Sequence, residues 1–289
     1  MPSLSLISML ITLAGAIVPS ARVSSDGRSA AFDQREPDIR TFLPSTHGFR
    51  FRNSFSGSPL QVSLGKLGES LGIPQNYGLC GGMSAAAADF FLARRTIPAQ
   101  SNVPSDSESL YDYIYTRQMD SLGDAFRYAL IFLRWMEMRD EGIAGTRSRS
   151  IPCLGAVRDS IDAGKPIMLG LVFSTTRKGK LWENHQVMAY DLSRTPVEKL
   201  KTRSGFSGVT DWSIHIYDPN FPKNDGVRID LRASLEGVVH VPWVPGCRAG
   251  MPLAIFGIKA TRVAPGRPEA PIRGVFPMPY KPRVPDRNL

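Results

Sequence analysis

The chain has 289 residues, of which 42% are hydrophobic and 21% are charged, and its formal net charge at pH 7 is +9. This balance is typical of a globular protein and excludes a chain that is disordered throughout. The lysines and arginines are scattered, with no basic run longer than Arg177 to Lys180, so the charge favours a generally basic surface over a specific nucleic-acid site.

The cysteines and histidines indicate neither a disulfide framework nor a metal site. Three cysteines cannot form such a framework, and their spacings match no zinc motif. If Cys80 stays free for chemistry, Cys153 and Cys247 could pair; alternatively, both are small buried hydrophobic residues. The glycines at 78, 81 and 82 lack the spacing and the lysine of a phosphate-binding loop. We therefore expect no metal and no cofactor.

The N-terminal segment resembles the core of a signal peptide. Residues from Leu4 to Val18 are almost wholly apolar or small and carry no charge. Ala14 to Ala16 has the small-x-small pattern of a cleavage site, although no basic residue precedes the apolar core. The sequence therefore predicts a signal peptide at residues 1–21, a secreted or extracytoplasmic protein and no stable membrane span. A misplaced start codon, an uncleaved anchor and a cytoplasmic location remain as alternatives.

Both flanks of the central region predict segments outside a globular domain. Residues 22–48 mix Ser, Asp, Arg and Pro without periodicity, which indicates a linker. Residues 264–289 form a basic tail whose regularly spaced prolines disfavour helix and sheet and favour an extended, polyproline-like chain. Such a tail could bind an aromatic groove on a partner or pack along the domain. The domain itself is expected at residues 49–263.

The first half of that domain has the apolar spacing of helices. We expect a helix from Gly82 to Arg95, where apolar residues recur at three and four positions. A second helical region begins near Ser109, resumes through Phe126 to Met136 and is ended by Gly142. A third helix is expected from Ile151 to Ala163, because Gly164 and then Pro166 stop it.

The second half of the domain has the apolar and alternating segments that are typical of strands. Five apolar or alternating segments are expected to form strands, at residues 166–174, 185–192, 213–218, 227–231 and 253–260. Helices followed by strands indicate an α+β fold rather than alternating βαβ units. In that order, a residue on an early helix can face a residue on a later sheet.

Cys80 is a candidate nucleophile. It lies in the segment from Tyr77 to Met83, where a loop is expected to turn into the first helix. The N-terminus of a helix carries unpaired N–H groups and a partial positive charge, which favour the reactive thiolate. The adjacent glycines would give a substrate carbonyl room to approach. A small buried residue at a helix start has the same local sequence, so this position alone decides nothing.

His185 and Asp218 complete a candidate constellation. His185 stands at the start of an apolar strand, where its ring can point into a cleft and serve the thiol as a base. Asp218 precedes Pro219 at a strand end and could orient the imidazole, with Asn220 as the competing orienter. The other histidines (His47, His215 and His240) are better interpreted as surface or packing residues. The oxyanion donors would be the Cys80 backbone N–H and the side chain of Gln75, with Asn76 in reserve.

Taken together, these motifs resemble the papain-like cysteine peptidases. The branch containing the bacteriocin-leader-processing peptidases is the most similar, because its third residue is an Asp before Pro. The chain is also similar to uncharacterised microbial proteins that carry GLCGGM, YDYI, HQV and YDPN, which stand here at residues 78–83, 111–114, 185–187 and 217–220. The similarity spans roughly residues 50–260.

The resemblance implies a papain-like two-lobed fold, with the Cys on a helix start in an N-terminal helical lobe and the His on a C-terminal antiparallel sheet. It implies Cys80 as nucleophile, His185 as base, Asp218 as orienter and Gln75 as oxyanion donor. Leu79 departs from the bacteriocin processors, which usually have Asp before the Cys, so their double-glycine leader specificity is not carried over.

Three functional hypotheses follow from these residues. The first is a hydrolase of peptide or isopeptide bonds that acts on a peptide or protein substrate through a Cys80 thioester. An acyltransferase, in which an amine resolves the thioester, would use the same residues. The third is a papain-like binding module without turnover. Labelling of Cys80 by an electrophile at mildly acidic pH distinguishes the two catalytic hypotheses from the binding module, because only an activated thiolate reacts quickly there.

Overall fold

The α-helices of the described residues lie between residues 44 and 162, before the strands of the large sheet. The computed structural model describes residues 37–56, 76–196, 210–240 and 252–289. The helices are α1 (Pro44–His47), α2 (Cys80–Leu92), α3 (Ser109–Leu122), α4 (Arg127–Glu137), α5 (Thr146–Arg149) and α6 (Ile151–Asp162). The predicted signal segment 1–21, the first part of the predicted linker, Gln75 and Cys247 lie outside the described residues.

The strands form one small and one large sheet. They are β1 (Phe55–Ser56), β2 (Asn76–Tyr77), β3 (Ile167–Val172), β4 (His185–Pro196), β5 (Thr210–Tyr217), β6 (Arg228–His240), β7 (Pro252–Val263), β8 (Ala270–Ile272) and β9 (Gly274–Met278). β1 and β2 pair with each other, and the remaining seven form an antiparallel sheet in the order β8-β7-β6-β5-β4-β3-β9. The fold is therefore α+β, as the sequence predicts.

Helix α2 is buried on nearly all sides. Its residues from Gly81 to Phe91 are all buried, and it packs against α3 and β4. Apart from Ser84 and Asp89, these residues are apolar or small, and a helix of that composition belongs in a protein core. The run of four alanines at residues 85–88 keeps the helix thin, and full burial of Phe90 stabilises the fold by about 2 kcal/mol.

Strands β3 and β4 are neighbours in the large sheet, between β5 and the edge strand β9. Leu169, Leu171, Val187 and Met188 have no exposed surface. Their continuous apolar run is that of a strand covered on both faces. This rigid pair carries His185 at its end, where His185 pairs in register with Leu171.

The predicted linker differs from the structure in its last residues. Ile39 and Phe42 are completely buried and belong to the main core, and the Ile39 N–H donates to the Gly164 carbonyl at 3.0 Å. Single apolar anchors among polar residues produce no periodicity, so the pattern does not reveal them. The folded region thus begins before the predicted boundary at residue 49.

The predicted tail also differs from the structure. Two of its segments are the sheet strands β8 and β9, and Pro277 of β9 stands opposite Leu169 of β3. Both strands are at sheet edges, where a proline removes a donor without breaking a ladder between two neighbours. Proline spacing therefore failed to exclude sheet here, because only interior strands need every N–H. Binding of the tail to a partner stays a prediction.

Within the described ranges, no helix has both the length and the apolar character needed to cross a bilayer.

Candidate active site

Cys80 is the first residue of helix α2 and is partly exposed. The helix entry is fixed by side chains from elsewhere in the fold. The Leu79 N–H donates to Asn53 Oδ1 at 2.6 Å, and the Gly82 N–H donates to Gln118 Oε1 at 2.9 Å. The thiol therefore lies at the positive end of a well-anchored helix. The Gly82 N–H is already engaged, so the Cys80 N–H remains the candidate oxyanion donor.

The glycines after Cys80 are required by packing. A Cβ on Gly81 would lie 2.0 Å from Gln186 Oε1, and one on Gly82 would lie 2.1 Å from the Ile114 carbonyl oxygen. Any side chain at either position would push α2 away from β4 or α3. The glycines thus hold the helix close to the sheet, which accounts for them without the substrate access that the sequence suggested.

His185 is buried at the first position of β4. The preceding residue, Asn184, is held by hydrogen bonds at both atoms of its side-chain amide. Its Oδ1 accepts from the Phe173 N–H at 3.0 Å, and its Nδ2 donates to the Leu181 carbonyl at 3.0 Å. The strand therefore begins at a defined place, and the imidazole has little freedom. Cys80 lies close enough to His185 for its side chain to raise the pKa of the imidazole, so the structure brings the two residues together.

Strand register brings Asp218 to His185. Met188 of β4 stands opposite Tyr217, the last residue of β5. Because the strands are antiparallel, the chain that follows Tyr217 runs alongside the residues that precede Met188. Asp218 Oδ1 lies 2.6 Å from His185 Nε2, and the Asp218 carboxylate has no exposed surface.

Asn220 lies close to the same nitrogen. Its Nδ2 is 3.3 Å from His185 Nε2, against 2.6 Å for Asp218 Oδ1. The Asn220 backbone N–H donates to Asp218 Oδ1 at 2.9 Å, which closes a tight turn through Pro219. Both orienters named from the sequence are thus within reach of His185, and the carboxylate makes the shorter contact. With Nε2 occupied, Nδ1 is the nitrogen left for the thiol.

The surroundings of His185 and Asp218 favour the charged form of both residues. Burial by itself would lower the pKa of His185, but the charges of Asp218 and Cys80 and the hydrogen bonds to both raise it to about 10. Burial would raise the pKa of the Asp218 carboxyl, but His185, Arg262 and the Asn220 N–H together lower it. An imidazolium beside a carboxylate is therefore the stable state near neutral pH.

Two residues at the site were missed by the sequence analysis. Arg262 of β7 places Nη1 at 3.3 Å from Asp218 Oδ2. Asn53 joins the two sides, because it accepts from the Leu79 N–H, donates through Nδ2 to Asn220 Oδ1 at 3.2 Å and donates through its N–H to the Pro219 carbonyl at 3.2 Å. Neither has a neighbouring motif, so no sequence signal distinguishes them from surface residues.

The remaining candidates are elsewhere or outside the described chain. Gln75 is not among the described residues, and nothing follows about its role as oxyanion donor. His47 packs between Phe42 and Phe91 and accepts from the Leu43 N–H, and burial lowers its pKa. Cys153 is a free, buried thiol whose pKa burial raises to about 12, so it is an inert packing residue. The described residues hold no cluster of three or more metal-ligating side chains.

The arrangement brings a partly exposed thiol, a buried imidazole and a buried carboxylate into one chain of contacts. Comparison of the sequence with protein-family models and with curated proteins, and of the structure with solved structures, found no match in any of the three.

Proposed function

We propose that this chain is a cysteine-dependent hydrolase of peptide or isopeptide bonds, with a papain-like two-lobed fold, in which Cys80 is the nucleophile and His185 its base. The observation that supports it best is the chain of contacts from Cys80 through His185 to Asp218. A buried imidazole held between a helix-start thiol and a carboxylate has a raised pKa, and such perturbed groups concentrate at catalytic sites.

In the first half of the reaction, the Cys80 thiolate attacks the carbonyl carbon of the scissile bond. The oxyanion that forms is stabilised by the Cys80 backbone N–H and, by resemblance, by Gln75. The His185 imidazolium gives its Nδ1 proton to the leaving amine as the C–N bond breaks. The products of this half are a thioester on Cys80, a free amine and a neutral His185.

In the second half, the neutral His185 takes a proton from water at Nδ1 while the water oxygen attacks the thioester carbonyl. The C–S bond breaks, the acid is released, and the thiolate and imidazolium are restored. Asp218 holds the Nε2–H in both halves, which fixes the tautomer that leaves Nδ1 free.

The first experiment measures alkylation of Cys80 by iodoacetamide as a function of pH, with the modified residue identified by peptide mass spectrometry. Because His185 keeps its proton to high pH, the rate should change less than about threefold between about pH 5.5 and pH 8, whereas an ordinary thiol slows about tenfold per pH unit below 8.5. Buried Cys153 is the internal control and should stay unmodified. A Cys80 rate that falls like that of an ordinary thiol would favour the binding-module hypothesis.

The second experiment tests turnover with a fluorogenic peptide library. Cys80→Ala should lose all hydrolysis and keep its fold, since an alanine at the helix start changes little packing. Product analysis with added amine separates hydrolysis from acyl transfer. Turnover retained by Cys80→Ala would place the nucleophile elsewhere.

A further inference from the structure

Arg262 gives the second oxygen of Asp218 a cationic partner of its own. Oδ1 of Asp218 faces His185 Nε2 at 2.6 Å, while Oδ2 faces Arg262 Nη1 at 3.3 Å. The carboxylate is completely buried, and the arginine side chain is 19% exposed. Asp218 thus lies between two cations that bind different oxygens.

The guanidinium of Arg262 is held in place by two aromatic rings. Its central carbon lies 5.2 Å from the ring centre of Phe173 and 5.0 Å from that of Phe221. Phe173 follows β3 and Phe221 lies in the turn after Asp218, so two separate segments hold the arginine. Stacking on a planar guanidinium restricts its rotation and excludes water from the Asp218 side.

The importance of this contact depends on the protonation of His185. The charged or titratable groups around Asp218 in the described chain are His185 from β4, Cys80 from α2 acting through His185, Arg262 from β7 and the preceding Tyr217 of β5. While Cys80 is a thiolate, His185 is an imidazolium and supports the buried carboxylate. Once Cys80 is acylated, its negative charge is gone and His185 is neutral, so Arg262 is the remaining cation among these groups.

We propose that Arg262 is a positioning residue of the site, which keeps Asp218 ionised and oriented while His185 is neutral and so keeps Nδ1 of His185 available as the base for the second half of the reaction. This inference rests on the proposed function. It assigns to Arg262 no contact with the substrate and no proton of its own.

Removal of the Arg262 charge should affect the two halves of the reaction differently. Without Arg262 the His185–Asp218 pair binds its proton more tightly, because a positive charge next to the carboxylate has been lost. Thiolate formation, which needs a protonated His185, should persist. Hydrolysis of the thioester, which needs a neutral His185, should require a higher pH.

The test uses the protein with Cys80 alkylated by iodoacetamide as a stable mimic of the acylated state. The ring nitrogens of histidine are labelled with ¹⁵N, and the His185 signal is assigned by its loss in His185→Gln. In Arg262→Met the His185 titration midpoint should lie about one pH unit above that of the wild type. Arg262→Lys, which keeps the charge, should restore at least half of that difference. Arg40→Met, which removes an exposed arginine paired with Asp38, should leave the midpoint unchanged.

The outcomes separate this inference from the proposed function. An unchanged midpoint in Arg262→Met overturns the inference, and so does an upward shift of the same size in Arg262→Lys. If Arg262→Met does not fold, Arg262→Gln, which can still donate to Asp218 Oδ2 but carries no charge, makes the same comparison. A wild-type Cys80 that fails to react in acid counts against the proposed function alone, because the alkylated protein can still be prepared at pH 9 for the titration.

Discussion

Two aspartates among the described residues, Asp89 and Asp218, are completely buried, and they have opposite surroundings. Asp89 on α2 binds the guanidinium of Arg117 and the hydroxyls of Tyr113 and Tyr280. Asp218 binds the imidazole of His185, a group that can take up and release a proton during a reaction, and the partly exposed Cys80 interacts with that imidazole. A buried charge therefore indicates a site only when its partner titrates and a reactive group is within reach.

Asp89 is the centre of a structural clamp. Arg117 Nε lies 2.7 Å from Asp89 Oδ2, the hydroxyls of Tyr113 and Tyr280 donate to the carboxylate at 2.8 and 2.9 Å, and the Arg283 N–H donates at 3.0 Å. Burial raises the pKa of Asp89, while Arg117 and these donors oppose the rise. The clamp ties α2 and α3 to the segment that follows β9.

The largest expected effect is the loss of this clamp. Asp89→Ala removes the buried counter-ion of Arg117, whose side chain is almost fully buried, and leaves it only the partly exposed Asp120, so the free energy of unfolding should fall by about 3 kcal/mol. Urea denaturation measures the change. The matched control is Asp159→Ala, which removes an exposed partner of Arg158 and should cost less than about 1 kcal/mol. Equal destabilisation in the two variants would mean that Asp89 is no clamp.

The corresponding change at the other aspartate should affect reactivity more than stability. Asp218→Asn keeps the shape but removes the charge that raises the pKa of His185, so Cys80 alkylation at pH 6 should slow by about 100-fold. Asn220→Ala is the control and should slow it only a few-fold, because its contact with Nε2 is longer. If Asn220→Ala has the larger effect, the amide is the orienter and the resemblance shifts toward the papain branch that uses Asn.

The same pair predicts a pH window for stability. The pKa of His185 is raised above its ordinary value of 6.5, so its contribution is complete below about pH 6.5 and is lost as the pH rises toward 10. The pKa of Asp218 is lowered from 3.8, so its contribution is lost as the pH falls below that value. The difference in unfolding free energy between the wild type and His185→Gln should therefore be largest between about pH 4 and pH 6.5. A difference that is constant from pH 5 to pH 9 would contradict the linkage.

Asn53 should have an intermediate effect, because it joins the Cys80 loop to the turn that carries Asn220. Asn53→Ala leaves the Leu79 N–H without its acceptor and should lower stability by about 1–2 kcal/mol and Cys80 alkylation by about tenfold. Asn53→Asp keeps the acceptor for Leu79 but loses the donation to Asn220, and should lie between the wild type and the alanine variant. Identical alkylation rates in all three proteins would show that the connection does not position the thiol.

The smallest effect is expected at the edge of the clamp. Tyr280→Phe removes one of several donors to Asp89 and should lower the free energy of unfolding by about 1 kcal/mol without changing Cys80 alkylation. Tyr128→Phe on α4 serves as the control for loss of a hydroxyl. A change in alkylation in Tyr280→Phe would mean that the two buried aspartates are coupled.

Elements with a strong apolar period were predictable from the sequence. Helix α2 was expected at residues 82–95 and spans Cys80–Leu92, and β3 was expected at residues 166–174 and spans Ile167–Val172. The hydrophobic pattern of these segments suffices to predict them, because nearly every residue in each segment is buried and therefore apolar or small. The α+β order followed from the same patterns.

Residues that act singly could not be predicted. Ile39 and Phe42 anchor the N-terminal segment one at a time, and Arg262 stands in β7 between Thr261 and Val263, where an exposed arginine would give the same pattern. Its partner Asp218 is 44 positions away in sequence, and only the folded sheet brings the two together. The positions of Cys80, His185 and Asp218 in the fold were predictable because each lies at the end of a recognisable element, whereas their catalytic roles stay a prediction.

The position of β9 has a consequence for synthesis on the ribosome. Strand β3 is a run of six apolar or small residues, and among the described residues its outer edge pairs with β9, which begins roughly a hundred residues later in the chain. A nascent chain in which β3, β4 and β5 have already formed therefore exposes the unpaired, aggregation-prone edge of β3 until β9 has been synthesised. Translational pausing within that interval should promote aggregation, and a chaperone that shields apolar strand edges should be needed most at that stage.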